Sequence, residues 1–191
     1  MAIEIEAKMK VDDHGPTRAR LHQLGATPKS AVLETNTFFD TPDRALYAQN
    51  KGLRVRFMRG LRETSEKTVI TFKGPQMMGP LKTRPEHEIT VTNPIEAVSF
   101  FEAMGYARTL TFQKRRESWK LGECSVELDE VPQLGFFVEI EGPDEHVVME
   151  AREALGLADC PIIKTAYTTL LMEYLQQHGM TEQVISFNPP R

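Results

Sequence analysis

Hydrophobic and polar residues alternate with a period of two through most of this 191-residue chain. Such alternation marks strands with one buried and one polar face. Segments 3–11, 32–40, 52–59, 66–73, 86–92, 109–120, 123–129 and 136–141 all read this way, with turns such as "TPDR", "KGP" and "LGE" between them. Four stretches switch to helical spacing. "PTRARLHQLGA" opens at Pro16, sets Leu21 and Leu24 on one face and stops at Gly25. "NPIEAVSFFEAMG" offers Asn93 as a helix N-cap with Pro94 in the first turn, and "EHVVMEAREALG" runs to Gly156. "TAYTTLLMEYLQQHG", between Lys164 and Gly179, carries a buried stripe of Leu170, Leu171, Tyr174 and Leu175. Many short strands with a few helices predict an α+β fold, a largely antiparallel sheet of about eight strands with helices packed on it. Residues 74–85, rich in Gly and Pro, predict a mobile loop, residues 1–178 a single domain, and residues 179–191 a loose C-terminal extension.

The polar faces of these strands are sorted by charge. Glu4, Glu6 and Lys8 share a face opposite Ile3, Ile5 and Ala7. Arg54 pairs with Arg56, Glu86 with Glu88, Lys114 with Arg116, Glu127 with Asp129 and Glu139 with Glu141; Lys73 lies opposite Ile70 and Phe72. Two carboxylates on one strand face sit only about 7 Å apart and repel. On an open sheet, cross-strand pairing could neutralise them, and one such strand alone is an ordinary solvated face. Sorting on six strands becomes economical if they close into a barrel with the charges inward. An interior filled with charge must then hold a charged, hydrated ligand, because unpaired buried charge is very costly. Carboxylates without His or Cys suit hard cations such as Mg²⁺ or Mn²⁺. Arg and Lys facing the same space suit phosphate. Together they describe a polyphosphate site, although "GPQMMGP" lacks the Gly-Lys-Ser/Thr ending of a Walker loop.

Composition narrows the class. A 40% hydrophobic and 26% charged make-up fits a globular domain with one sizeable core. A net charge of −4 lowers the expectation of nucleic-acid binding. Cys124 and Cys160 form no metal-binding or disulfide pattern. No apolar run approaches membrane-spanning length, and Glu4 and Glu6 stand where a signal peptide needs an apolar core, so a cytoplasmic protein without membrane partners is expected.

Six blocks in order, Glu4-x-Glu6-x-Lys8, "NTFFDTPDRALYAQNKGLRVR", "RPEHEITV", "KRRESWKL", "VELDEVPQLGFFVEIEG" and "KTAY", resemble the CYTH superfamily of triphosphate tunnel metalloenzymes over roughly residues 1–175. The resemblance implies an eight-stranded antiparallel β-barrel enclosing a tunnel with a charged lumen and helices packed outside. It implies that Glu4, Glu6 and Glu141 hold a metal, with Glu139 and Asp129 supporting a second metal or an attacking water. Lys8, Arg54, Arg56, Lys73, Lys114 and Arg116 would grip phosphate, and Lys164 with Tyr167 would close one tunnel mouth. The expected activity is divalent-metal-dependent hydrolysis of inorganic tripolyphosphate or an organic triphosphate, by a monomer or homodimer. The family also contains class IV adenylyl cyclases, and a non-catalytic polyphosphate binder is a third reading. Ala166 stands where that family often has Ser, and Phe38 where it often has Tyr. Glu86 and Glu88 are expected either to support a second metal or to bridge to lumen arginines, and Arg84 reads as a loop charge. The five histidines, Trp119, Met77 and Met78 receive no functional role.

Overall fold

In the computed structural model, which describes residues 2–181 and 183–188, strands β1 (Ala2–Val11), β2 (Thr27–Asp40), β3 (Gly52–Gly60), β4 (Glu66–Lys73), β5 (Lys82–Val91), β6 (Ala107–Leu121), β7 (Cys124–Val131) and β8 (Gly135–Glu141) form one sheet. Their order is β2-β3-β4-β5-β1-β8-β7-β6, and β2 pairs back onto β6. All these pairings are antiparallel, so the sheet is a closed eight-stranded barrel. Closure leaves no free edge among the eight, and it forces alternate side chains into a common interior.

Helices α1 (Gly15–Gln23), α2 (Ala45–Ala48), α3 (Pro94–Ala103), α4 (Glu145–Ala154) and α5 (Tyr167–Gln177) connect or follow the strands. Asn93 caps α3 by accepting from the N–H groups of Ile95 and Glu96, and Asp144 caps α4 by accepting from Val147 N–H. The one-turn α2 escaped the sequence pattern because it is too short to show a period; Asp40 holds it by accepting from the N–H groups of Leu46 and Tyr47.

The apolar cores therefore lie outside the barrel wall. Ala7, Met9, Trp119, Val126, Val138 and Ile140 pack with Leu21 of α1 and Val148 of α4. Phe39, Leu53 and Val55 pack with Ala97 and Phe101 of α3. A third cluster differs in kind. Leu110, Phe112, Val131 and Phe137 share strand parity with charged lumen residues, and on them sit Tyr167, Leu171 and Leu175 of α5. Helix α5 thus stoppers one end of the interior with apolar side chains.

The segment after Gly179, expected to be loose, returns to the wall. A short strand β9 (Val184–Ile185) pairs in parallel with β6 at Thr111 and Phe112. β7 covers only Arg115–Leu121 of its side of β6, so β9 occupies hydrogen-bonding positions that β7 leaves open. Ile185 is buried there among Leu110 and Phe112. Residues 182 and 189–191 of the extension lie outside the described residues.

Candidate functional site

Barrel closure brings the sign-sorted faces together. Buried within the wall are Glu4, Glu6, Lys8, Glu34, Lys82, Arg84, Lys114, Asp129 and Glu139. Neighbouring registers interleave opposite charges: Glu4 lies opposite Arg84, Glu6 opposite Lys82, Lys8 opposite Glu139 and Arg116 opposite Asp129. Each charge comes from a strand position fixed by alternation, so the protein cannot expose it without turning the strand's apolar face to water.

The interior divides into a closely ion-paired part, in which Glu34 Oε1 is nonetheless buried without a hydrogen-bond donor, and an open-handed part. In the first, Arg116 donates to both oxygens of Asp129, at 2.7 and 2.6 Å, and also to Glu139. Lys114 and the Tyr167 hydroxyl donate to Asp129 as well, at 3.0 and 3.1 Å. Glu34 approaches Arg56 and Lys114 at 3.5 Å each. Against the cost of burial, Arg56, Lys114 and Arg116 hold the Glu34 carboxyl far below the usual carboxylate range. Glu139 is held low in the same way by Arg116, Lys114, Lys8 and Lys82. Burial pushes the Tyr167 phenol well up, and Asp129 and Glu139 add to it, so this hydroxyl stays protonated as a donor.

In the second part, cationic atoms keep spare donors. The Lys8 ammonium is 1% exposed, sits 3.8 Å from Glu139 and 4.4 Å above the Tyr167 ring, yet makes no hydrogen bond. Burial lowers its pKa. The Nε atoms of Arg54 and Arg84 are likewise buried without acceptors, and burial with the neighbouring Arg56 pulls Arg54 down to about 10. Buried donors left bare cost on the order of 1–3 kcal/mol each, a cost that an acceptor placed among them would recover.

Carboxylates gather beside them. Lys73 bonds Glu4 at 2.6 and 2.8 Å and Glu86 at 2.9 Å, and Lys82 bonds Glu6 at 2.5 Å. Glu141 retains solvent contact; partial burial and then Glu4, Glu6 and Glu86 push it up to about 7. Among the described residues, no three His, Cys, Asp or Glu side chains stand close enough together to grip a metal. The chemistry of the donor set nevertheless fits a hard dication: oxygen ligands only, with mutual repulsion that a cation would relieve and two lysine ammonium groups occupying that place.

The arrangement also revises individual expectations. Arg84 is no loop charge: it is 7% exposed, on β5, and its Nη2 donates to Asn50 Oδ1 at 3.3 Å. Glu86 bridges to Lys73, and Glu88 to Arg54 at 3.9 Å. Lys164 is exposed and donates to the Gly79 carbonyl; it ties down the 74–81 loop, while Tyr167 alone of that pair enters the barrel. Three interior residues escaped the sequence reading, Glu34, Asn36 and Lys82. Lys82 and Arg84 share parity with Glu86 and Glu88, so extending that alternation four residues upstream reveals both. Glu34 and Asn36 sit in "ETNT", where neighbouring threonines blur the alternation.

Comparison with known proteins agrees with this architecture. The profile of the CYTH domain matches residues 2–157. The chain is 27% identical over 177 residues to "Putative adenylate cyclase MJ0240" of Methanocaldococcus jannaschii, covering 88% of this chain and 98% of that protein. It is 28% identical over 185 residues to "Adenylate cyclase CyaB" of Aeromonas hydrophila, covering 90% of each. A solved structure from Hippeastrum, described by the words "Putative adenylyl cyclase HpAC1 from Hippeastrum reveals a dominant triphophatase activity", superposes with a TM-score of 0.65 at 18% identity, covering 95% of this chain and 98% of that one.

Proposed function

The chain belongs to the CYTH domain family, and from that premise we propose that it hydrolyses a short triphosphate inside the barrel with the help of a divalent metal. The observation that carries this reading is the set of buried, acceptor-free cationic atoms of Lys8, Arg54 and Arg84 beside a crowded carboxylate group. Phosphate oxygens satisfy the donors. A dication satisfies the acids. Glu4 and Glu6 already hold Lys73 and Lys82, so the dication is what would keep these acids neutralised when phosphate draws the lysines away.

Glu4, Glu6 and Glu141 are the residues that would hold Mg²⁺ or Mn²⁺. When bound, the metal withdraws charge from phosphate oxygens and fixes their orientation. Arg54 and Arg84 present planar donor forks to phosphate oxygens, and Lys8 offers a buried point charge between Glu139 and the Tyr167 ring. With Glu4 and Glu6 held by a dication, Lys73 and Lys82 would be free to donate to phosphate oxygens. Such pre-placed positive charge stabilises the negative charge spreading over the transferred phosphoryl group.

The acids differ in what they can do with a proton. Glu139 is held ionised by four cations and accepts a hydrogen bond from Arg116; it can orient a water but is a weak base. Glu141, lifted to about 7 in the metal-free protein by burial and then by Glu4, Glu6 and Glu86, would give up its proton on binding a dication and serves as a ligand rather than as a base. Asp129 is consumed by Lys114, Arg116 and Tyr167 and serves to fix those groups.

A second reading is cyclisation of ATP to cyclic AMP and pyrophosphate, favoured by the names of the two sequence relatives. The same charged interior serves both reactions. Incubation with tripolyphosphate and, separately, ATP under Mg²⁺ or Mn²⁺ separates them by product. Orthophosphate release supports hydrolysis. Cyclic AMP with pyrophosphate as the main product overturns it in favour of cyclisation. Tight binding with neither product supports a non-catalytic binder.

A further inference from the structure

Helix α5 delivers Tyr167, its first residue, into the charged interior. The chain leading into that helix is stitched to β1. The Ile163 N–H donates to the Lys8 carbonyl at 2.8 Å, and Ile162 bridges to Met9. The residue that anchors this approach is therefore the one whose ammonium lies 4.4 Å over the Tyr167 ring. Phe137 and Phe112 meet the ring edge to face, with centroids 5.1 and 6.5 Å away, and the phenol hydroxyl donates to Asp129. Packing and this hydrogen bond together fix the plane of the ring.

Packing alone explains an aromatic residue here; it does not explain the Lys8 ammonium. That group is buried and makes no hydrogen bond, with Glu139 standing at 3.8 Å. Glu139 is itself shared, since Arg116 donates to it. Lys114 is a second cation near the ring, at 5.3 Å, but its ammonium is spent on Asp129. An aromatic face attracts an ammonium through its quadrupole, most strongly where water is excluded. It does so without accepting a conventional hydrogen bond, so all three N–H groups stay available. A carboxylate in the same place would consume those donors, as Asp129 does with Lys114.

We propose that Tyr167 is a positioning residue whose ring face holds the Lys8 ammonium in place with its donors uncommitted, ready for phosphate oxygens. The proposal rests on the reading of the interior as a polyphosphate seat. The two ends of the side chain have separate tasks. The hydroxyl adds one bond to an Asp129 already held by Lys114 and Arg116, whereas the ring supports Lys8. Tyr167 acts through Lys8 and needs no contact of its own with the anion.

Calorimetric titration of the full chain with imidotriphosphate and Mg²⁺ tests this, because the bridging N–H groups of that tripolyphosphate analogue resist hydrolysis. Tyr167→Phe is expected to bind within about threefold of the wild type, and Tyr167→Leu about tenfold or more weakly. In a Lys8→Met background, Tyr167→Leu is expected to cause no further loss. A trifluorinated phenylalanine at position 167 keeps the shape of Phe but strips the ring face of its negative potential. It should bind more weakly than Tyr167→Phe, and it carries the test if the leucine variant fails to fold. Plain and fluorinated Phe variants that bind alike, Tyr167→Phe binding as poorly as Tyr167→Leu, or a leucine loss of equal size with and without Lys8 overturns the proposal. A wild type that binds no imidotriphosphate overturns the polyphosphate reading itself, and this proposal with it.

Discussion

Replacing Glu34 by Gln perturbs the interior where its charge balance is tightest. The side chain is 1% exposed, and its carboxylate is the common neighbour of Arg56 and Lys114 at 3.5 Å and Arg116 at 4.0 Å. The substituted amide keeps the shape and the Asn36 contact but deletes the negative charge. Removing one partner of a buried ion pair costs about 3–5 kcal/mol. Asp129 and Glu139 still neutralise Arg116 and Lys114, so the lower end, about 3 kcal/mol, is expected. For a domain of this size that is a fall in Tm of about 6–12 °C. The Glu34 pKa is depressed on folding. Its stabilisation is therefore fully present above the unfolded value near 4.3 and is lost only as pH falls through the folded value. The deficit of the variant should accordingly be flat from pH 6 to 8 and shrink in acid. Tripolyphosphate brings negative charge into the same basic cluster, so it should raise the Tm of Glu34→Gln by more than that of the wild type. Differential scanning fluorimetry with and without the anion measures both effects. An unchanged or higher Tm without ligand would refute the reasoning, because Glu34 would then not be the counter-charge of a buried cation cluster.

Lys8→Met removes an ammonium that makes no hydrogen bond; stability in urea should hold or rise, while triphosphate turnover falls by about 10²-fold or more. Glu4→Gln with Glu6→Gln should abolish most turnover and also lower Tm, since Lys73 and the buried Lys82 lose their partners; unchanged turnover contradicts the assigned site. Ile185→Ala should cost about 2–5 kcal/mol in denaturant unfolding, whereas a loose tail would show no effect. Because Glu141 is raised to about 7, it is protonated below that pH and competes with cation binding. Mn²⁺ affinity followed by electron paramagnetic resonance should therefore climb from pH 6 to 8, and in Glu141→Gln this climb should flatten.

Strand parity carried most of this structure into view before any coordinates. A period of two, applied to the sorted doublets, placed Glu4, Glu6, Lys8, Arg54, Arg56, Lys73, Lys114, Arg116, Asp129 and Glu139 on interior-facing positions. It could not reveal which cations are already spent. Arg116 and Lys114 look like Arg54 in sequence, but Asp129 meets them across the β6–β7 hairpin, Glu139 from the next strand, and Glu34 through the β2–β6 pairing that closes the barrel. Lys82 and Arg84 were hidden because Gly and Pro just upstream, and Pro85 itself, mark a loop locally, whereas the ladder from β1 holds this segment as a strand. The β9 pairing was illegible for a related reason. Two residues carry no period, and their place depends on where β7 happens to stop.

The central claim is that the enclosed charges form a seat for a metal–triphosphate complex. A crystal of the Glu139→Gln variant, chosen to slow turnover, soaked with tripolyphosphate and Mn²⁺ and measured for anomalous scattering, tests it most directly. A manganese peak is expected within coordination distance of Glu4, Glu6 and Glu141, with phosphate oxygens on Lys8, Arg54 and Arg84. Manganese and phosphate found only on the outer surface, with the Lys73–Glu4 and Lys82–Glu6 pairs intact, would contradict it.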